Sequence, residues 1–231
     1  YGLITDEWSR QNKLYGPDTI PHDQQRLLTN VTAPQATAMV TLMETLDCAM
    51  NNCGIKSGDS VAIVGSGPVG QAFATFAQLL GASVVFAFGR NPTHTERFKK
   101  VAPSCKYITD NKQSEVSKII KSGGFDKVIE AVGSDEALTK AVELAGNKGL
   151  VFVYGVTPDS SPYNKKTLEL PNVKRVGARE GRVQKVLIDF IQKGSIKLND
   201  WVSHVLPMSK YEEAFKLVES KEGFKVVLTP Q

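Results

Sequence analysis

Ser60-Val61-Ala62-Ile63-Val64-Gly65-Ser66-Gly67-Pro68-Val69-Gly70 is the stretch that decides the fold. A short apolar run, mostly β-branched, ends in Gly-x-Gly-x-x-Gly. A helical apolar pattern follows at once: Phe73, Ala74, Phe76, Ala77, Leu79 and Leu80. Strand, glycine turn and helix in that order form the context of a dinucleotide-binding turn. Gly65 allows the tight turn off the strand, Gly67 lets backbone approach a pyrophosphate, and Gly70 lets the helix pack on the strand. The N–H groups left free at the helix start, and the positive end of the helix dipole, hold the anion. With Ser66, Pro68 and Val69 between them, the three glycines make the first set of cofactor-binding candidates. The alternative is an ordinary βα turn in a domain that binds no phosphate.

Outward from the turn, apolar runs and amphipathic stretches alternate. Ala82–Gly89, Lys106–Thr109, Phe125–Val132 and Gly149–Val156 read as strands, with Val173–Val176 as one more. Thr93–Lys100, Gln113–Lys121, Asp135–Leu144 and Gly181–Lys193 read as helices between or after them. Continuous apolar strands suit a parallel sheet covered on both faces. The βαβα alternation predicts an α/β fold, a doubly wound parallel sheet of the Rossmann type. Val202–Leu206 and Phe224–Thr229 read as two further strands around an amphipathic helix, Lys210–Ser220.

Before the turn, Thr32-Ala33-Pro34 reads as a helix start, with Thr32 or a neighbour as the cap and Pro34 in the first turn. The run Ala36–Ala49 is apolar nearly all round, so the helix is expected between layers. It carries Glu44 and Asp47. A buried carboxylate needs a partner or a metal; otherwise both lie on the helix's polar edge. Residues 1–30 are polar and aperiodic and are expected to wrap a neighbouring domain or to dangle.

Composition narrows the classes. Of the 231 residues 41% are hydrophobic and 23% charged, the balance of an ordinary globular protein. No apolar run approaches the ~20 residues of a membrane helix, so no membrane partner is expected. The net charge of +4 is scattered, which argues against nucleic acid. Cys48, Cys53 and Cys105 make no Cys-x-x-Cys pair, so a reducing, cytoplasmic setting is expected. The chain begins with Tyr1 rather than Met, so it says nothing about a leader.

The second strand points to the kind of dinucleotide. In this fold an acidic residue about 20 positions beyond the glycines binds the ribose 2′-hydroxyl. Here that place holds Gly89, followed by Arg90 and Asn91, with Thr93, His94 and Arg97 close behind. A carboxylate would repel a 2′-phosphate. Glycine leaves room for one, and arginine pairs with it bidentately and stacks on adenine. Gly89, Arg90 and Asn91 therefore favour NADP(H) over NAD(H); the alternative is a solvated Arg90 and a site that tolerates NAD(H).

From Thr37 to the end the chain resembles the medium-chain dehydrogenase/reductase family, nearest to zinc-type alcohol, polyol and threonine dehydrogenases. The likeness rests on Gly54-Ile55-Lys56-Ser57-Gly58-Asp59-Ser60-Val61 leading into the glycine turn, on Phe125–Gly133, and on Gly149–Gly155. The tail adds His204-Val205-Leu206-Pro207, Glu213-Ala214-Phe215 and Phe224–Leu228. The resemblance implies hydride transfer between nicotinamide and a small alcohol, polyol or ketone, the small-molecule substrate. It also implies that Ala131, Val132, Gly155 and Val156 line the nicotinamide end, with Thr45 against the ring. Members carry a leading catalytic domain with the first zinc ligands, which this chain lacks. Residues 1–35 are therefore expected to be its connecting piece, 36–201 the dinucleotide-binding domain and 202–231 its returning segment. On that basis the chain alone is expected to bind cofactor without turning over alcohol. A later zinc ligand of the family falls on Thr41 in the gapless register, a poor ligand. A shift of one helical turn puts Glu44 there instead, so zinc is expected only in the complete protein and no metal site in this chain. The short last strand behind Pro171 is expected at a sheet edge, where two copies join as a homodimer. Rival readings are a zinc-independent reductase of the same superfamily and a non-catalytic NADP-binding module. A methyltransferase gives the third glycine and Arg90 no role.

Overall fold

The computed structural model describes residues 30–109, 113–178 and 180–230. The expectation for residues 1–29 lies outside them. Helix α1 (Ala33–Asp47) starts on Thr32, whose side chain accepts the Gln35 N–H while Gln35 Oε1 accepts the Thr32 N–H, a reciprocal cap. Such caps contribute about 1 kcal/mol. The helix is buried as its composition demands: Leu42, Met43 and Leu46 have no exposed surface. It ends in a π-turn, Cys48–Asn52, that the periodicity did not signal. Asp47 is fully buried and bonded to Arg182 Nη2 at 2.8 Å and Asn51 Nδ2 at 2.7 Å. The carboxylate thus has a charged partner rather than a place on a polar edge, which corrects the edge reading for this residue.

β1 (Ser60–Val64), α2 (Pro68–Leu79), β2 (Val84–Gly89), α3 (His94–Val101) and β3 (Lys106–Thr109) make the first half of a doubly wound sheet. The second half follows with α4 (Gln113–Lys121), β4 (Lys127–Glu130), α5 (Asp135–Ala145), β5 (Leu150–Val153), α6 (Lys165–Leu168) and β6 (Val173–Arg175). All pairings are parallel, in the order β3-β2-β1-β4-β5-β6. One face packs on α1 and α2 through Val61, Ile63, Phe73 and Phe76; the other packs on α5 through Ala62, Val128, Leu138 and Leu144. Two-sided burial is why the strands read as unbroken apolar runs.

β4 is shorter than the apolar run 125–132 suggested. Phe125 packs into the second core, and the Asp126 carboxylate accepts the Ser60 N–H and O–H at 2.8 and 2.6 Å, clasping the strand starts. The helix expected at 181–193 opens as a 3₁₀ turn, Glu180–Val183, and becomes α7 at Gln184–Gln192. The four-residue α6, capped by Asn164, was not anticipated. After the 3₁₀ turn Leu198–Trp201 come β7 (His204–Pro207), the 3₁₀ turn Met208–Lys210, α8 (Tyr211–Glu219) and β8 (Val226–Thr229), with β7 and β8 paired parallel in a separate two-stranded sheet. Arg97 ties this tail to α3. Its Nε donates to Gln71 Oε1 at 3.1 Å, an Nη donates to the Asp200 carbonyl, and its guanidinium lies 3.7 Å from the Phe224 ring centre. Arg97 is thus committed internally, unlike Arg90. No described helix is long and apolar enough to cross a membrane.

Candidate functional site

The strand order reverses direction between β1 and β4, and such a switch point opens a crevice at the carboxyl ends of the strands. A cavity of about 960 Å³ lies there. Its floor is Val64 to Pro68. One wall is Phe88 to Asn91 with His94, and the other is Ala131 and Val132 with the face of α5 from Ser134 to Glu143. Val218, Lys221, Gly223 and Phe224 close it from the tail.

The glycines hold their places for distinct reasons. Gly65 has φ +129°, a region open to glycine. A Cβ on Gly70 would stand 2.1 Å from the Gly65 carbonyl oxygen, so α2 reaches β1 only without a side chain there. Gly67 is the N-cap of α2, and a Cβ on it would meet nothing within 4 Å. The open space above it is the approach to the helix N-terminus, where backbone N–H groups and the helix dipole favour an anion.

Gly89 has a local cause that the sequence did not show. A Cβ there would stand 2.3 Å from Ser66 Oγ and 2.7 Å from the Tyr107 hydroxyl. Ser66 is held in that position by His94, whose Nδ1 lies 2.9 Å from Ser66 Oγ. The orientation follows from Asn91: its Oδ1 accepts the Thr93 N–H at 3.0 Å, which turns Nδ2 to His94 Nε2 at 3.3 Å. Nε2 therefore accepts and Nδ1–H donates to Ser66. Burial lowers the His94 pKa, with the Ser66 backbone opposing the effect and Lys221 and Arg97 adding to it. An acidic side chain at position 89 would have to displace this Ser66–His94 contact. Arg90 is exposed beside it and makes no hydrogen bond or ion pair among the described residues.

Of the expected contacts, Gly65, Ser66, Gly67, Pro68, Gly89, Arg90, Asn91, Ala131 and Val132 come together in the cavity lining. Val69 and Gly70 sit behind the turn: Val69 packs on the first core and Gly70 lies under Gly65. Thr45 is not brought to the lining. It is fully buried, and its hydroxyl donates back to the α1 carbonyls of Thr41 and Leu42. Gly155 lies behind Gly133, where a Cβ would meet the Gly133 nitrogen at 2.3 Å. Val156 is 87% exposed outside the cavity.

Two contributors escaped the sequence reading. Glu130, fully buried at the end of β4, accepts the Val132 and Gly133 N–H groups on Oε1, both at 2.8 Å. Lys221 follows α8 in the left-handed region at φ +63°, the one described non-glycine residue with positive φ. A side chain in that conformation costs roughly 1–2 kcal/mol, and glycine is the usual occupant after a helix. Nothing in the polar stretch Glu219–Gly223 links it to a turn so distant in sequence.

A doubly wound α/β domain with a glycine turn at its switch point and a groove along its strand ends defines a Rossmann-type domain. The sequence profile of zinc-binding dehydrogenases matches residues 68–193, more than half of the chain. The chain belongs to that family, as the resemblance implied. It is 29% identical over 210 residues to an uncharacterized zinc-type alcohol dehydrogenase-like protein, AdhB, of Bacillus subtilis, covering 79% of this chain and 55% of that protein. It is 25% identical over 221 residues to the L-threonine 3-dehydrogenase of Bacillus velezensis, covering 91% and 60%. Among solved structures, the alcohol dehydrogenase TADH from Thermus sp. ATN1 superimposes with a TM-score of 0.75 at 26% identity, covering 90% of this chain and 61% of that one. The chain spans a little over half the length of the curated relatives it matches.

The described residues do not fit a zinc ion. Among them no group of three or more His, Cys, Asp or Glu could hold a metal. Thr41 offers only a hydroxyl, and the Lys225 ammonium stands 3.4 Å from it, a charge that repels a cation. Glu44, one helical turn on, belongs to no such group.

Proposed function

We propose that this chain is the cofactor-binding part of an NADP(H)-dependent dehydrogenase or reductase. In it hydride passes between nicotinamide and the carbinol carbon of a small alcohol, polyol or ketone. Zinc ligation falls to residues outside this chain, and the alcohol-binding surface lies largely outside it as well. On this reading, residues 36–201 are the nucleotide domain, and the β7–α8–β8 tail belongs to a second unit completed by further polypeptide. The observation that carries the reading is the groove itself. The glycine turn opens on α2, Gly89 leaves no acid, and Arg90 stands at the mouth without a hydrogen bond or ion pair among the described residues, with Lys221 facing the same cavity. A guanidinium and an ammonium at that place suit a 2′-phosphate dianion.

Gly67→Ala tests the phosphate approach. Its Cβ would enter open space, so stability should stay within about 0.5 kcal/mol of wild type. The same methyl should stand where the pyrophosphate comes closest and weaken NADPH by roughly tenfold, about 1.4 kcal/mol. NADPH titrations alongside thermal melts check both halves, and an unchanged affinity would count against the groove as the binding site.

The position of β6 at the end of the strand order leads us to propose a homodimer joined edge to edge. Among the described residues β6 pairs only with β5, and Lys174 and Arg175 are exposed. Such an edge is a template for isologous pairing. Sedimentation should give twice 25.2 kDa; a monomer at micromolar concentration would refute the pairing.

A further inference from the structure

We propose that Glu130 and Tyr163 form a positioning device that holds the Ala131–Gly133 turn, and through it the nicotinamide half of the cofactor, in place. This rests on the dinucleotide reading above and names two residues for one end of that site.

The Glu130 carboxylate has no exposed surface. Oε1 takes two consecutive backbone N–H groups, and Oε2 takes the Tyr163 hydroxyl at 2.6 Å. The three donors are all neutral. Burying a carboxylate this way is costly unless its geometry is fully satisfied, and valines fill the neighbouring register positions, Val64 and Val153. A carboxylate in that row therefore has a job that packing does not explain. What it fixes is the course of the chain just after β4. The Ala131 carbonyl oxygen lies 3.0 Å from where a Gly65 Cβ would be, and Val132 stands half exposed at the groove. The turn is thus held between the glycine loop and the carboxylate.

Tyr163 brings in the next strand end. It is 4% exposed, and its hydroxyl also lies 3.0 Å from the Gly155 carbonyl. Gly155 in turn donates its N–H to the Glu130 backbone carbonyl at 3.0 Å. The Arg175 guanidinium sits 5.5 Å from the Tyr163 ring centre. Burial, with Glu130 beside it, raises the phenol pKa, so Tyr163 stays a donor at every ordinary pH. Gly155 and Val156 do not line the groove; on this view the β5 end acts on it indirectly, through Tyr163 and Glu130.

The test compares two probes on the full chain: NADPH, and adenosine 2′,5′-bisphosphate, which carries only the adenosine half. Tyr163→Phe keeps the ring and removes the donor. It should weaken NADPH by roughly tenfold, the scale of one hydrogen bond to a charged group. It should leave the bisphosphate within about twofold and move the emission of bound NADPH toward that of free NADPH. Glu130→Gln keeps an oxygen for the two N–H groups and offers its NH₂ to the phenol oxygen, so it should retain NADPH binding within about threefold where Glu130→Leu does not. Should Tyr163→Phe fail to fold, the Gln and Leu pair decides the matter by the same ratio of affinities. Equal losses for both probes, or no change in NADPH affinity and emission, would overturn the proposal. A wild-type chain that binds neither probe would overturn the dinucleotide reading itself.

Discussion

Gly70→Ala should destabilise the chain by roughly 2–4 kcal/mol, more than any other single-methyl change in the glycine turn. The added Cβ would stand 2.1 Å from the Gly65 oxygen and 2.8 Å from the Gly65 carbonyl carbon, both backbone atoms. No rotamer relieves such a contact, so either α2 lifts from β1 or the turn distorts. Overpacking of a well-filled core costs about 1–3 kcal/mol, and more when backbone must move. Lifting α2 also loosens Phe73 and Phe76, which are fully buried beneath it. For a chain of this size the loss corresponds to a fall in melting temperature on the order of 10 °C. Thermal melts of the variant and of Gly67→Ala, run side by side, check the contrast. If the two melt alike, the close contact of helix and strand is not what Gly70 provides.

Arg90→Ala should cost NADPH binding about 1.5–3 kcal/mol, the range for a charge-assisted hydrogen bond, or roughly ten- to a hundredfold in affinity. NADH should be affected little, because it lacks the phosphate that the guanidinium would pair. The expectation follows from the surroundings of Arg90. Its neighbour Arg97 is tied to Gln71, Asp200 and Phe224, whereas Arg90 has no such partner among the described residues. Removing Arg90 should therefore leave stability nearly unchanged. Comparable losses for both dinucleotides would mean that Arg90 acts on a part they share, such as the adenine or the pyrophosphate.

Much of this architecture was legible in the sequence because two-sided burial writes itself as continuous apolar runs. The runs at 60–64, 82–89 and 149–156 contain the strands Ser60–Val64, Val84–Gly89 and Leu150–Val153, and the glycine spacing located the switch point. β3 and α4 fall where periodicity put them. Boundaries were less legible where side chains end an element. β4 stops at Glu130 because its own carboxylate folds the following N–H groups back, and an acid at the end of an apolar run does not announce that. Burial of Asp47 was foreseen as needing a partner, but Arg182 is too distant in sequence to be named. Within the groove, the residues contiguous with the glycine motif and with Gly89 were readable. Lys221, Phe224 and the Tyr163–Glu130 bond depend on how separate segments meet, which no local pattern encodes. Thr45 shows the reverse: a hydroxyl expected at the nicotinamide is turned instead to its own helix backbone.

On the proposed function this groove takes a dinucleotide and selects it by the 2′-phosphate. Parallel fluorescence titrations of the wild-type chain with NADPH and with NADH, at one ionic strength, decide the point. Saturable binding of both is expected, with NADPH tighter by about tenfold or more. Equal affinities, or a preference for NADH, would overturn the proposed selectivity.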